Sequence, residues 1–271
     1  MKVLSIFLNT SFLIIFHGTI AQSDTIYCNN EKIACIVKEI TPEAVKFSYP
    51  NEDLINSIYK NTIQKIVFHS GRIQTFAENT SFKKVNGPTD WESVTITPVE
   101  SEVKGLFKLG DVSSKAAGTT EFSNQERVKQ RAYRKLKIHA AFLGANVIYL
   151  TASRTQGNSY YQSSEASFTG VAYSNLLPSF EDFKALLKDK TKFTATKIAE
   201  LWSSSSDMLL SDISHPVNIK EVYTESGLIM INASIKGMKE DVFQVVNFNS
   251  DSFLVYFRDK RSIYNLKIDL N

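Results

Sequence analysis

The chain has 271 residues, 43% of them hydrophobic and 22% charged, with a formal net charge of +3. This apolar content is ordinary for a globular protein, and the length allows one large domain or two to three small ones. A charge so close to neutral argues against a general nucleic-acid-binding surface.

The first 21 residues have the pattern of a secretory signal peptide. Lys2 supplies a positive charge, and the apolar run over residues 3–16 is too short to span a bilayer. Thr19 and Ala21 then place small residues at the −3 and −1 positions of a cleavage site. We therefore expect cleavage before Gln22 and a periplasmic or secreted mature protein. No later stretch is apolar for long enough to cross a membrane, so no transmembrane segment is expected after cleavage.

Residues 22–78 alternate β-branched and aromatic residues with polar ones, which is typical of β-strands. Turn-forming pairs such as Asn29-Asn30 and Ser70-Gly71 separate the apolar runs. The predicted strands cover residues 25–28, 33–40, 44–49, 54–59, 65–69 and 72–76. This pattern predicts a small, curled antiparallel β domain, followed by a polar linker over residues 79–90.

Cys28 and Cys35 are the only cysteines, and they flank a polar turn. An even number of cysteines in an exported chain suggests a disulfide. A two-residue turn centred on Asn30 and Glu31 would make them diagonal neighbours about 7 Å apart, too far for an unstrained bond. A longer or bulged turn would bring them opposite each other. Two alternatives follow: a disulfide, or two buried thiols that pack as small hydrophobic side chains.

Residues 91–176 combine strands with one main helix. Ser123 and Glu126 have the spacing of a capping box, with Ser123 as the N-cap, and Gly144 is a natural helix stop. One apolar face follows the helical period, and it consists of Val128, Ala132, Leu136, His139 and Leu143. The predicted strands cover residues 92–99, 147–151 and 167–173, with a polar loop over residues 155–166. We expect a central α/β sandwich built on this helix.

Residues 177–271 begin with a short helix, for which Ser179 is the expected N-cap. The predicted strands after it cover residues 193–202, 217–223, 228–235, 242–248, 253–258 and 262–269. Glu225-Ser226-Gly227 and Asn249-Ser250-Asp251 are typical of hairpin turns. We expect a C-terminal antiparallel sheet with a short helix, and an α+β, β-rich fold for the whole chain.

The run Ala140-Ala141-Phe142-Leu143-Gly144-Ala145-Asn146-Val147-Ile148 resembles the AA-x-LGAN helix-to-strand signature of small bacterial envelope domains. These belong to the YbjQ-like family and to the Rcs stress-sensing outer-membrane lipoprotein. Gly170-Val171-Ala172-Tyr173 is similar to the G-x-A-Y strand that often follows. The resemblance implies an envelope-type domain, but this domain lacks cysteine and therefore the disulfide of the Rcs type. Residues 60–71 resemble the amino-terminal part of uncharacterised exported proteins of Bacteroidetes.

Catalytic motifs are absent from the sequence. His69, His139 and His215 lie in three different domains, and none has a second ligand at metal-binding spacing. We therefore expect neither a metal nor another cofactor. His139 is interpreted as a hydrogen-bonded core histidine and His215 as a solvated loop residue. A Ser-His-Asp triad assembled from distant positions remains open, because geometry rather than spacing defines it.

Two features are candidates for binding. Arg127, Arg131 and Arg134 form a stripe opposite the apolar face of the helix, which indicates either a solvated face or a docking site for an anionic partner. Tyr160 and Tyr161 lie in a polar loop whose composition is typical of recognition loops as well as of mobile hairpin loops.

Two classes of function are compatible with these residues. Export, the missing catalytic motifs and the envelope-domain resemblance favour a non-catalytic envelope protein that acts as a binding, assembly or stress-sensing module. Its partner is then expected to be another envelope protein or an anionic surface. The alternative is a hydrolase with an unrecognised active site.

Overall fold

A computed structural model describes residues 23–28, 31–76, 83–120, 122–157 and 163–270. The predicted signal peptide and the candidate residues Tyr160 and Tyr161 therefore lie outside the described residues. Within them the predicted α+β, β-rich class is confirmed. The chain builds an amino-terminal antiparallel sheet, a mixed central sheet packed on one main helix, and a carboxy-terminal antiparallel barrel with a short helix.

The amino-terminal sheet contains six strands in the order β4-β3-β2-β1-β5-β6. The strands are β1 (Asp24–Cys28), β2 (Glu31–Ile40), β3 (Ala44–Ser48), β4 (Asn56–Tyr59), β5 (Ile63–Val67) and β6 (Ile73–Thr75). A bulge between Val37 and Glu39 of β2 bends the sheet. Inward-facing residues of β1, β3 and β5, among them Ile26, Val45 and Ile66, form its core.

The register of the first hairpin decides between the two alternatives for the cysteines. Cys28 pairs with Glu31, and Cys35 lies four residues further along β2, opposite Asp24. The turn therefore lies one residue earlier in the chain than the predicted turn centred on Asn30 and Glu31. This shift moves the Cα atoms of Cys28 and Cys35 further apart than about 7 Å, the upper limit for a disulfide. The two sulfur atoms are not bonded to each other, and both side chains are buried in the core. The disulfide alternative is thus wrong for this structure.

The central sheet has the order β7-β9-β10-β8, and it is mixed because β7 runs parallel to β9. Its strands are β7 (Thr95–Thr97), β8 (Phe107–Ala117), β9 (Val147–Gln156) and β10 (Glu165–Ser174). Three details differ from the sequence-based expectation. A 3₁₀ helix, Pro88–Ser93, replaces the start of the expected strand at 92–99, β8 was not predicted, and β9 extends into the expected loop at 155–166.

The main helix α1 (Gln125–Phe142) packs one face on this sheet. All five residues of the predicted apolar face are buried, and Tyr133 stacks on Phe168 of β10 with 4.1 Å between the ring centroids. Asn124, rather than Ser123, is the N-cap, because its Oδ1 accepts the Arg127 backbone N–H at 3.0 Å. The Ser123 hydroxyl instead accepts from the Thr120 backbone.

The carboxy-terminal domain closes into a six-stranded antiparallel barrel. Its strands are β11 (Phe193–Trp202), β12 (Leu209–Glu225), β13 (Leu228–Ile235), β14 (Val242–Phe248), β15 (Ser252–Asp259) and β16 (Ser262–Leu270). Both expected hairpin turns are present, and Ser226 and Gly227 adopt the positive φ angles that a tight hairpin requires. His215, expected in a loop, lies within β12.

The short helix α2 (Phe180–Leu187) begins at the expected N-cap, Ser179. It places Phe183 in the barrel core, where the ring centroid lies 5.4 Å from that of Phe248 and 5.3 Å from that of Phe253. Such aromatic contacts add to the stabilisation from apolar burial. The helix therefore contributes a core residue to the barrel instead of standing apart from it.

A second face of α1 packs on the outside of the barrel. Ile138 and Phe142 are buried against Ala199, Leu201 and Ile263. The Asn265 side-chain amide donates to the Phe142 carbonyl at 3.2 Å, which satisfies a carbonyl at the helix end. The helix thus lies between the central sheet and the barrel.

Gly144 should be the glycine at which substitution most disturbs this junction. Its φ of +77° is strained for any L side chain, and an added Cβ would lie 2.6 Å from Cγ1 of Val246. Gly71→Ala is a matched control, since Gly71 has φ +81° with nothing within 4 Å. The left-handed conformation should cost about 1–2 kcal/mol in both variants, and the clash should cost Gly144→Ala about 1–3 kcal/mol more. Urea unfolding of both variants measures the difference, and equal losses would contradict it.

Candidate functional site

The three arginines of the predicted stripe have different surroundings in the structure, and Arg134 is paired within the fold. Nη2 of Arg134 donates to both carboxylate oxygens of Asp207, at 2.9 and 2.8 Å. The same guanidinium lies 5.1 Å from the ring centroid of Trp91, within reach of a cation–π contact. Arg134 therefore joins α1 to the 3₁₀ helix and to the turn before β12. Arg134 is thus paired within the fold, unlike a free member of a solvated stripe.

The neighbouring Lys135 is buried. Its ammonium donates to the Ser203 carbonyl in the turn after β11, and burial lowers its pKa. This position lies on the second packed face of α1, beside Ile138. A single polar face opposite a single apolar face is thus the wrong description of this helix.

Arg131 and His139 both bond to the open edge of the central sheet. The Gly118 N–H donates to Ser164 O at 2.7 Å, just beyond the Ala117–Glu165 pair of the β8–β10 ladder. Because the backbone groups of an antiparallel strand alternate in direction, those of Ser113 and Ala117 point away from β10. Nη2 of Arg131 donates to the Ala117 carbonyl at 2.8 Å.

His139 hydrogen-bonds the backbone of Ser113 at the same edge. The bond raises the pKa of the imidazole, which identifies the acceptor as the carbonyl, since a donated bond favours the protonated ring. Its Nε2 is buried and has no hydrogen-bond partner among the described residues. Burial lowers the pKa to about 4, and Arg258 and Lys135 act in the same direction.

Phe122 and Arg127 lie at the exposed start of α1. The Phe122 side chain is 86% exposed, and Phe122, Arg127 and Arg131 line an open groove of about 820 Å³. We call these three residues the aromatic–arginine surface. Among the described residues, Arg127 makes no ion pair. An exposed ring beside two guanidinium groups can contact an apolar side chain and a carboxylate together.

The flanks of the tyrosine loop reach the same end of the molecule. The Ser164 hydroxyl donates to the Ser123 carbonyl at 3.0 Å, and a Cβ built on Gly157 would lie 3.3 Å from Oε1 of Gln125. The two ends of the segment holding Tyr160 and Tyr161 therefore lie beside the start of α1. Sequence reasoning treated this segment and the arginines as separate features.

Asp24 and His69 form an acid–histidine pair in the amino-terminal domain. Oδ1 of Asp24 lies 3.0 Å from Nδ1 of His69 and accepts the His69 backbone N–H, while Oδ2 accepts from the Val37 N–H. Burial raises the pKa of Asp24, but these hydrogen bonds outweigh it, so the net pKa is lowered. The carboxylate thus holds β2 and the end of β5 together. No hydroxyl or thiol bonds to Nε2 of His69 within the described part of the chain.

Across the described ranges, no group of three or more His, Cys, Asp or Glu side chains is arranged to hold a metal ion. None of the helices described there combines the length and apolarity needed to cross a bilayer. No protein-family model, no curated protein and no solved structure matches the chain. The resemblance to bacterial envelope domains therefore stays a prediction.

Two residues of this region escaped the sequence reasoning. Phe122 precedes the helix and lies outside its periodic pattern, although an aromatic residue amid Thr, Glu, Ser and Asn is a signal of an exposed ring. Asp207 is far from Arg134 in the chain, and no local pattern links them. Only the packing of the barrel against α1 brings this pair together.

Acidification should destabilise the protein through His139. The folded-state pKa of about 4 lies below the ordinary value of 6.5, so between these values the unfolded state binds the proton more tightly. The free energy of unfolding is therefore highest above pH 6.5 and decreases as the pH falls from 6.5 through 4, by up to about 3 kcal/mol in total. His139→Gln should reduce the difference in unfolding free energy between pH 7 and pH 4.5, measured with urea.

A neighbouring core truncation, Val112→Ala, serves as the control for this experiment. It removes buried apolar surface without removing a titratable group, so it should lower stability similarly at both pH values. If His139→Gln kept the full pH dependence of the wild type, the role assigned to His139 would be wrong.

Proposed function

We propose that this protein is a non-catalytic binding module of the cell envelope, exported through its amino-terminal signal, and that it binds an acidic protein segment. The observation that carries the proposal is the aromatic–arginine surface, where a nearly fully exposed phenylalanine adjoins Arg127 and Arg131. Aromatic side chains, phenylalanine among them, and arginine are enriched in the core of protein interfaces relative to the rest of the surface.

The charges around this surface favour an anionic partner. Its principal acid, Glu126, accepts a hydrogen bond from Gln130 and lies 4.0 Å from Lys129. Among the described residues of this surface, the guanidinium of Arg127 has no ion-pair partner, and the positive end of the α1 dipole adds to its potential. The flanks of the tyrosine-containing segment reach Gln125 and Ser123, which keeps Tyr160 and Tyr161 as candidates for contact with the same partner.

The alternative hydrolase receives less support from the contacts of the Asp24–His69 pair. Such a pair orients a catalytic histidine in a Ser-His-Asp triad. Here the carboxylate also accepts two backbone N–H groups, one from β2 and one from the turn after β5, which is a structural role for a buried acid. We therefore place the binding function first.

Photocrosslinking at position 122 tests the binding function. A benzophenone amino acid replaces Phe122 with a ring of similar character, and the exported protein is irradiated in cells of its source. We expect one principal crosslinked partner with an acidic contact segment. Adding Arg127→Glu should abolish that product, because the reversed charge repels the segment and exposed pairs of this kind are sensitive to charge and salt.

Two controls make the outcome specific. Lys236→Glu carries the same type of charge reversal on an exposed residue of the β13–β14 turn and should leave the product unchanged. The same crosslinker at Leu54, an exposed apolar residue of the amino-terminal domain, should give a different pattern. A product at position 122 that persists in Arg127→Glu, or that also forms at position 54, would contradict the proposal.

A further inference from the structure

The barrel has an open edge along the first part of β12. Strand β11 pairs with β12 from Leu209 to Val217, whereas β13 pairs with it only from Val217 onward. Residues 209–216 therefore have a strand neighbour on one side only, within the described part of the chain. Leu209 and Leu210 are more than half exposed, and the Asp212 side chain is 88% exposed, so this edge faces solvent.

The ladder hydrogen bonds show which backbone groups the edge presents. The Ser203 N–H donates to Arg261 O, directly beyond the Trp202–Ser262 pair of β11 and β16. By alternation along the ladders, Glu200 and Ile198 direct their backbone groups toward β12. Their partners Leu209 and Ser211 point back at β11. Leu210 and Asp212 consequently direct their N–H and C=O groups outward.

We propose that this edge pairs with the same edge of a second copy of the chain, antiparallel and about a two-fold axis at Ser211. This register places Leu210 opposite Asp212 of the second copy, and Asp212 opposite its Leu210. The four outward N–H groups then meet four outward carbonyl groups. A two-fold contact of this kind pairs the same segment of both copies, so it closes at a dimer and does not propagate.

Charge and side-chain complementarity select this register. Shifting the axis to Asp212 would set two carboxylates directly opposite each other, which is destabilising. With the axis at Ser211, each Asp212 faces a leucine and keeps its own Lys197, at 4.0 Å. On the other face of the strands, Leu209 meets Ile213 of the second copy twice. This contact covers the side chain of Leu209, which the monomer leaves exposed, while Ile213 is half-buried against the barrel core.

The arrangement also leaves room for the two helices. Helix α1 packs over Ala199, Leu201 and Ile263, which lie on β11 and β16 rather than on β12. At about 4.8 Å per strand, the two α1 helices of the dimer lie roughly 20 Å apart, against a helix diameter of about 10–12 Å. Pro216 limits the open edge at its far end, because a proline has no N–H to offer to a neighbouring strand.

Only a short ladder and two apolar pairs form, so the interface is smaller than that of a permanent dimer. We expect a dissociation constant between about 10 µM and about 1 mM. Sedimentation velocity of the mature protein across this range of concentrations should show reversible dimer formation. Leu210→Pro removes one outward N–H per copy and no bond to β11, so it should be monomeric with an unchanged melting temperature. Leu210→Ala keeps the N–H and should still form dimers.

A second pair of variants tests the axis without a proline. Ser211→Glu and Ser211→Arg place like charges opposite each other at the two-fold axis, so each variant alone should be monomeric. An equimolar mixture should form a heterodimer, because the opposite charges then face each other across a distance of about 5 Å. A monomeric wild type at every concentration, a dimeric Leu210→Pro, or a mixture that stays monomeric would each overturn the proposal.

Discussion

The burial of helix α1 on two sides is the constraint on which the rest of this structure depends. Its first face covers the central sheet through residues such as Leu136, and its second face, with Ile138 and Phe142, covers the outside of the barrel. Each of these fully buried side chains contributes about 1.5–3 kcal/mol of stabilisation. Because one rigid helix belongs to both cores, the central domain and the barrel are coupled through side chains on two faces of that helix.

Because α1 is buried on two sides, several of its polar side chains bind groups of the neighbouring elements. Lys135 donates to a carbonyl of the barrel turn, and Arg134 binds Asp207 there. His139 and Arg131 bond to the open edge of β8, which a sheet would otherwise present to solvent or to another strand. Lys135, His139 and Arg131 satisfy backbone groups at places where two elements meet, and Arg134 pairs with a carboxylate at such a place.

The two surfaces proposed for binding are regions that this packing leaves exposed to solvent. The aromatic–arginine surface lies at the start of α1, before the helix enters the junction, and the open edge of β12 lies where the β11–β12 hairpin extends past β13. The two surfaces offer different kinds of interaction. The first offers charge and an exposed ring, and the second offers backbone hydrogen bonds in a defined register. The two surfaces share no residue.

The sequence by itself determined the class of fold, the apolar face of α1 and most barrel strands, because these depend on local periodicity and turn residues such as Ser226-Gly227. It missed β8, whose glycine, serines and alanines carry no strand signal, and whose place is set by pairing with β10. Only the tertiary structure decided the hairpin register that separates Cys28 from Cys35. The same holds for the second buried face of α1 and for the contact of Arg134 with Asp207, because these depend on contacts between residues distant in the chain.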